Sequence, residues 1–276
     1  MGGHIDCYLD IASLYSYIAL IQILKTQDIL KQHSVEIEIH PVLLGAINAG
    51  SERTNPQEGN KPPWTLPAKA THSAFDSRRA LRAVGLRSVS PPGDLFEAGR
   101  TTLPLRALLR IKATHPRRVY LTALHVLFHA FWTLHRVPTT ADVLGEVLSE
   151  APRDFTFAGD SESGTGGSFF AAGGEEAGFR SSGERLFTAA EVAQILRAAA
   201  EPEAKDALRR TTDEALARGA FGAPWLWVTD RRTGEAEPFF GSDRWHFVYE
   251  FLGLPYRDVA LLPPSSPKAE SKESKL

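Results

Sequence analysis

Sulfur is scarce in this sequence: 276 residues hold one cysteine, Cys7, and one methionine. A single thiol rules out an internal disulfide and any metal site built from several thiolates. It also rules out a Cys-x-x-Cys pair, so the chain cannot exchange thiols and disulfides by itself. Charge of one sign is lacking too. Lys+Arg 31 against Asp+Glu 33 gives a net charge of -2, with no footprint for nucleic acid or an anionic membrane. No apolar run approaches the roughly 18 residues that span a bilayer, and Met1 is not followed by a basic-then-apolar leader. These absences predict a soluble intracellular protein. Its 43% hydrophobic content is enough for one large domain or two smaller ones.

Periodicity supplies the order of elements. Ile5, Cys7 and Leu9 alternate with Asp6 and Tyr8, which predicts a strand. Ser13 then precedes the apolar run Tyr17, Ile18, Leu20, Ile21 and Leu24, a helix to about Leu30. A second alternation, Val35, Ile37 and Ile39 against Glu36, Glu38 and His40, predicts a strand ending at Pro41. Strand, helix and strand within some forty residues form a βαβ unit, so the strands should be parallel. The proline-rich stretch from Asn48 to Pro67 is expected to be loop. Helix is expected from Thr71 onward, over Tyr120 to His135, and again after Thr140. Residues 153–184, dominated by Gly, Ser, Glu and Asp, are expected to be a disordered or loosely ordered insert.

Helical signals resume with Thr188 as N-cap, and a further helix runs from Pro202 to Arg218, stopped by Gly219. Trp225 to Val228 and Pro238 to Phe240, joined by a turn around Arg231 to Gly234, predict a hairpin. Ser242 or Asp243 is expected to cap a last helix closed by Gly253. The order βαβ, helices, α, ββ, α describes an α/β, thioredoxin-like fold interrupted by an all-helical insertion domain. The expected divisions are 1–60 and 201–262 for the two halves of the core and 61–200 for the insertion. A flexible tail, 263–276, completes the chain.

Ser13 lies where a strand gives way to a helix, so backbone N–H groups and the helix dipole favour an anion there. In redox thioredoxin folds this position carries the Cys-x-x-Cys pair; here the stretch is Ser13-Leu14-Tyr15-Ser16. The serine either caps the helix or donates a hydrogen bond to a thiolate that a substrate brings. Phe221-Gly222-Ala223-Pro224 lies between a helix and a strand, where thioredoxin folds carry a cis-proline. A cis bond at Pro224 would let Ala223 pair in β fashion with an extended peptide; an ordinary trans proline opening the strand is the other reading. Phe240-Gly241-Ser242-Asp243-Arg244 makes a second strand-to-helix corner. Its N–H groups suit a carboxylate and Asp243 suits an ammonium, although helix capping accounts for it equally well.

With Tyr8-Leu9-Asp10 and Gly59-Asn60-Lys61-Pro62-Pro63, these segments resemble the kappa-class glutathione transferases in order and spacing. The resemblance implies that Ser13 activates the glutathione sulfur, and that Asn60, Lys69, Ala223, Pro224, Ser242 and Asp243 hold the tripeptide. It implies glutathione as substrate or thiol cofactor, no metal, a small electrophile as second substrate, a role in detoxification and a homodimer. The chain departs from the family at Leu14, where proline is usual, at Tyr17, where tryptophan is common, and at Ala223, which replaces a larger apolar residue. The 153–184 insert is a further departure. Two other readings stand beside a transferase: a glutathione-dependent isomerase of the 2-hydroxychromene-2-carboxylate type, and a non-catalytic glutathione-binding protein.

Other candidates are weaker. Cys7, inside a strand, is expected to pack rather than react. His125 and His129 have the spacing of zinc ligands on a helix, but without a zincin glutamate or an obvious third ligand they read as packing or surface residues. The Arg78-Arg79 and Arg231-Arg232 pairs read as solvated charge. Finally, Ser274-Lys275-Leu276 matches the peroxisomal address, borne on a Pro-, Ser-, Lys- and Glu-rich tail that offers it to the import receptor. The expected location is the peroxisome.

Overall fold

The computed structural model describes residues 2–52, 67–157, 179–180 and 183–257. Strands β1 (Gly3–Leu9) and β2 (Val35–Pro41) flank helix α1 (Leu14–Gln32) and pair in parallel, Gly3 opposite Val35 through Leu9 opposite Pro41. The expected βαβ unit is therefore present. Strand β5 (Trp225–Asp230) runs antiparallel along the other edge of β1, and β6 (Ala236–Phe240) pairs antiparallel with β5 as the predicted hairpin. The resulting sheet has the order β2-β1-β5-β6.

β1 is covered on both faces. Ile5, Cys7 and Leu9 pack with Ile18, Leu20 and Ile21 of α1 in the main core. Tyr8 and Trp225 form a second cluster with Val42, Ile47 and Ala215 on the opposite face. The alternation of Asp6 and Tyr8 with apolar residues thus marks a second interior and not a solvent face. Gly3 shows how tightly β1 is held. A Cβ there would lie 2.6 Å from Leu252 Cδ2 and 3.0 Å from the Thr229 carbonyl. Gly3→Ala is expected to cost about 1–3 kcal/mol through overpacking, read as a lower urea midpoint at unchanged m-value.

The helical layer consists of α3 (Pro67–Ala83), α4 (Leu95–Ala98), α5 (Thr102–Thr114), α6 (Arg117–Trp132), α7 (Ala141–Glu150) and α8 (Ala189–Ala200). It enters the chain between α2 (Leu44–Glu52) and α9 (Pro202–Ala217). One buried apolar cluster joins Leu105, Leu108 and Ile111 of α5 and Leu124 and Phe128 of α6 to the sheet residues. Thr188 caps α8 as expected, in a reciprocal capping box with Glu191. Among the described residues no helix is long and apolar enough to cross a membrane.

Several expectations need correction. The stretch from Asn48 is not loop at its start, because α2 runs to Glu52. Ile47 is fully buried, and a Cβ on Gly50 would lie 2.8 Å from the Leu216 side chain, so close approach to α9 sustains this glycine-containing helix. α3 begins at Pro67, ahead of Thr71, with proline in the first turn where its missing N–H costs nothing. α6 follows Pro116 and stops at Trp132; His135 lies beyond it with φ +54.

The ends of the expected loose insert are ordered. β3 (Thr156–Phe157) pairs antiparallel with β4 (Phe179–Arg180), and Pro152 bridges Arg185. Backbone bonds from Arg153 N to Glu184 O and from Leu186 N to Ala151 O continue this pairing, the second of them between two buried residues. Residues 158–178 lie outside the described residues.

The helix α10 (Trp245–Phe251) is capped by neither Ser242 nor Asp243, for its N-cap is Arg244 without a side-chain cap bond. Asp243 instead pairs with Arg244 at 2.5 Å. Gly253, at φ +62, closes α10 as expected.

Candidate active site

α1 begins where the Asp10–Ser13 turn leaves β1. Ser13 is its N-cap (φ -99°, ψ 118°), and its Oγ accepts the N–H of Ser16 at 3.2 Å. The first turn carries no acidic side chain, so no residue of α1 itself offsets the positive end of this 19-residue helix. The same Oγ donates to the carbonyl of Ala223 at 2.8 Å. The hydroxyl therefore caps the helix through its lone pair and spends its one proton on the backbone of another element.

That second bond joins the two halves of the site. Ala223 and Pro224 are linked by a cis peptide bond. The Pro224 carbonyl accepts from Gly241 N at 3.1 Å, which draws in the corner that holds Ser242 and Asp243. Ser242 is buried, whereas Asp243 is largely exposed beside Arg244. Ser13, Ala223, Pro224, Ser242 and Asp243 thus form one continuous site across the end of the sheet.

Lys69 stands apart on the exposed first turn of α3. Among the described residues, α3 reaches the site through Asp76, whose carboxylate accepts the Tyr15 hydroxyl at 2.5 Å. Burial, that hydrogen bond and the charges of Asp76 and Asp243 all push the Tyr15 hydroxyl well above its ordinary range. Tyr15 therefore stays protonated and lies within the electrostatic reach of Asp243. Asn60 and the Ser274-Lys275-Leu276 ending lie outside the described residues.

Leu14 does not leave the helix start loose. Trp132 Nε1 donates to the Ile11 carbonyl at 2.8 Å, and the Asp10 carboxylate receives two hydrogen bonds from other parts of the chain, from Leu44 N and Thr101 Oγ1. The turn is fixed from outside, where a proline would have fixed it from within. Sequence reading names Asp10 and Tyr15 as parts of a motif but gives them no task, and it passes over Asp76, Thr101 and Trp132. Their partners lie 61 to 121 residues away, and no local pattern signals such bonds.

The residues set aside behave as packing groups. Cys7 is fully buried, and burial together with the charge of Asp6 pushes its thiol far above the range of a reactive cysteine. His125 is pushed down to about 3, chiefly by burial, and His129 to about 4 for the same reason; both rings pack on Phe155. Elsewhere among the described residues, His4, Asp6 and Glu38 bring three potential ligand atoms within 4.8 Å of one another. Both carboxylates already face cations: Asp6 lies 2.7 Å from Arg218 and Glu38 lies 2.6 Å from Lys112. The cluster is neutralised without an ion.

Comparison with known proteins agrees with this architecture. The chain matches the family model described as a DSBA-like thioredoxin domain over residues 4–164 and 179–253. It is 25% identical over 259 residues to glutathione S-transferase kappa 1 of Caenorhabditis elegans, covering 91% of each chain. It is 25% identical over 266 residues to glutathione S-transferase kappa 1 of Homo sapiens, covering 95% of each. A stronger local match, 36% over 91 residues, to glutathione s-transferase kappa 2 of Caenorhabditis elegans spans 40% of that relative.

Among solved structures, 2-hydroxychromene-2-carboxylate isomerase superposes with a TM-score of 0.57 at 16% identity, over 91% of this chain and 94% of that one. A probable DsbA oxidoreductase from Streptomyces coelicolor gives 0.56 at 16%, over 96% and 97%. At such identity these two likenesses speak to fold alone.

Proposed function

The chain belongs to the family of DsbA-like thioredoxin domains, and on that premise we propose that it is a glutathione transferase in which Ser13 replaces the redox cysteine. The observation that carries this reading is the Ser13 hydroxyl at the head of α1, bonded to Ala223 O at 2.8 Å. Both partners of that bond are what an extended thiol peptide needs. The hydroxyl turns its proton to the arriving sulfur, and the freed Ala223 carbonyl accepts an N–H of the peptide.

An ordinary thiol with a pKa of about 8.5 is only a few per cent ionised at neutral pH. A hydrogen bond to a charged acceptor, worth roughly 1.5–3 kcal/mol, lowers that value by about one to two units. The helix N-terminus adds to the effect. The thiol proton passes to solvent, the thiolate attacks an electrophilic carbon, the S–C bond forms, and the leaving group departs with the electron pair. The protein supplies thiolate stabilisation and proximity more than proton transfer.

The tripeptide's ends find their partners in the same reading. Ser242 and the backbone of its corner receive a carboxylate, and Asp243 receives the γ-glutamyl ammonium by exchanging it for Arg244. The family resemblance adds Asn60 and Lys69 to the residues proposed to hold the tripeptide. The absence of any cysteine other than the buried Cys7 supports a substrate-borne thiol over protein redox chemistry.

The test offers glutathione with 1-chloro-2,4-dinitrobenzene and, separately, with a hydroxychromene carboxylate. Conjugation supports the transferase. Isomerisation without net glutathione consumption transfers the reading to the isomerase class, and calorimetric binding with turnover of neither makes the protein a glutathione carrier.

Location and assembly belong to the same proposal. The Ser274-Lys275-Leu276 ending supports import into peroxisomes by the receptor for that address. A fluorescent protein fused ahead of the chain should be punctate with the intact tail and diffuse once Leu276 is removed; a diffuse signal from the intact tail contradicts the assignment. A homodimer is the expected assembly, and light scattering at monomer mass contradicts it.

A further inference from the structure

Asp10 is the acidic side chain closest in sequence to Ser13 and is 1% exposed. Its carboxylate ties together three segments. Oδ1 accepts from Ala12 N at 2.9 Å, within the turn itself, and from Thr101 Oγ1 at 2.8 Å, at the start of α5. Oδ2 accepts from Leu44 N at 2.7 Å, the first residue of α2. The main chain of Asp10 serves the same turn, for its carbonyl accepts from Ser13 N at 3.0 Å and its N–H meets Ser16 Oγ at 3.5 Å. Two helices from elsewhere in the chain are therefore fastened to the turn that aims Ser13.

The chemistry of the site asks for an acceptor and nothing else. Every group that meets the side chain is a neutral donor: two backbone N–H groups and one hydroxyl. An ionised carboxylate accepts at both oxygens, while a carboxylic acid or an amide turns one of them into a donor. Burial lifts the carboxyl to about 6, and the bonds from Ala12, Leu44 and Thr101 pull against that rise. Among the described residues no charged side chain contributes to this balance from β1, α1, α2 or α5. The negative charge is held by hydrogen bonds alone, so adding a proton removes a bond that nothing else replaces.

We propose that Asp10 is the positioning residue of the Ser13 site: its ionised carboxylate locks the turn that orients the Ser13 hydroxyl, and protonation releases that turn. The proposal rests on the reading of Ser13 as the donor to a thiolate, but it is a statement about the protein alone and can be tested without glutathione.

The experiment follows backbone amide resonances of the full chain between pH 4.5 and 8. Ala12 and Leu44 should shift with a midpoint near 6, and Ser13 and Ser16 should follow with the same midpoint. In Asp10→Asn that transition should vanish, with Ser13 and Ser16 held near their low-pH positions. Ala12 and Leu44 titrating while Ser13 and Ser16 stay still would overturn the proposal, and so would no titration at all.

If Asp10→Asn does not fold, the wild-type titration decides alone. Where it folds, kcat with glutathione should fall at least about tenfold while KM for glutathione changes less than about threefold, the pattern of a lost transition-state orientation. Wild-type kcat in the variant contradicts the proposal. A wild-type protein with no turnover sinks the transferase reading instead, and the amide titration still decides the role of Asp10.

Discussion

Ser13→Ala is expected to lower kcat/KM for glutathione conjugation by about ten- to a hundredfold, with the affinity for glutathione itself changed little. The range follows from one hydrogen bond to a charged acceptor, roughly 1.5–3 kcal/mol, present when sulfur is an anion and weak when it is a thiol. The helix N-terminus stays in place and retains part of the stabilisation, which is why the loss stops short of complete inactivation. The substitution also removes the N-cap bond to Ser16 N and the tie to Ala223 O. A cap of this kind is worth about 1 kcal/mol, so the melting temperature should fall by a few degrees at most. Steady-state kinetics beside a thermal melt separates the two effects. Turnover unchanged in a folded variant would remove Ser13 from the mechanism.

Asp6→Ala is expected to be among the most damaging single changes to stability, at about 3 kcal/mol or more. Asp6 lies in β1, an inner strand of the sheet, and gathers three partners: Arg218 at 2.7 Å, His40 at 2.8 Å and His4 at 3.1 Å. Arg218 in turn bonds the Tyr8 hydroxyl at 2.7 Å and Glu214 at 2.9 Å, and stacks over the rings of Tyr8 and Trp227. Removing Asp6 takes from the half-buried Arg218 the nearer of its two counter-charges and leaves Glu214 as the other, so the cost lies at the low end of the roughly 3–5 kcal/mol typical of a broken buried pair. For a chain of this length that corresponds to a fall in melting temperature of about 10 °C.

The sign with pH is also defined. Burial opposes ionisation of Asp6, but the bonds from His40, Arg218 and His4 outweigh it and hold the carboxyl far below its ordinary 3.8. Its contribution is therefore complete above pH 4 and is lost as pH falls through the folded-state value. Wild-type melting temperatures should decline below pH 4, and the variant should show a shallower decline there. A variant within 2 °C of wild type at pH 7 would mean that the network contributes little.

These two residues mark the limits of what the amino-acid sequence discloses. The role of Ser13 as a helix start is legible because capping is local: a serine, then an apolar run with helical spacing. β1, β2 and the β5–β6 hairpin are legible for the same reason, and the corners at Ala223-Pro224 and Ser242-Asp243 announce themselves by glycine and proline. The bond from Ser13 to Ala223 crosses 210 positions, and the bond from Asp6 to Arg218 crosses 212, so neither leaves a local trace.

Tertiary packing also overrides local preference. α2 carries two glycines and reads as loop from Asn48 onward, yet Ile47 buries itself beside Tyr8 and Gly50 admits Leu216, so the segment is helical to Glu52. Ser242 reads as a cap, but it is buried beside the Pro224–Gly241 bond, and α10 starts three residues later, at Trp245. The stiffening that a proline at Leu14 would give is supplied by Trp132 and Thr101, whose bonds to Ile11 O and Asp10 Oδ1 hold the turn.

The central claim is that the Ser13 hydroxyl stabilises a thiolate that the protein does not own. Thiolate absorbance near 240 nm, titrated with glutathione bound to the wild-type protein and to Ser13→Ala, measures this directly. The account predicts a bound-thiol pKa about one to two units below the ordinary 8.5 in the wild type, returning most of the way in the variant. Bound glutathione that titrates at its ordinary value, or equally low in both proteins, would contradict it.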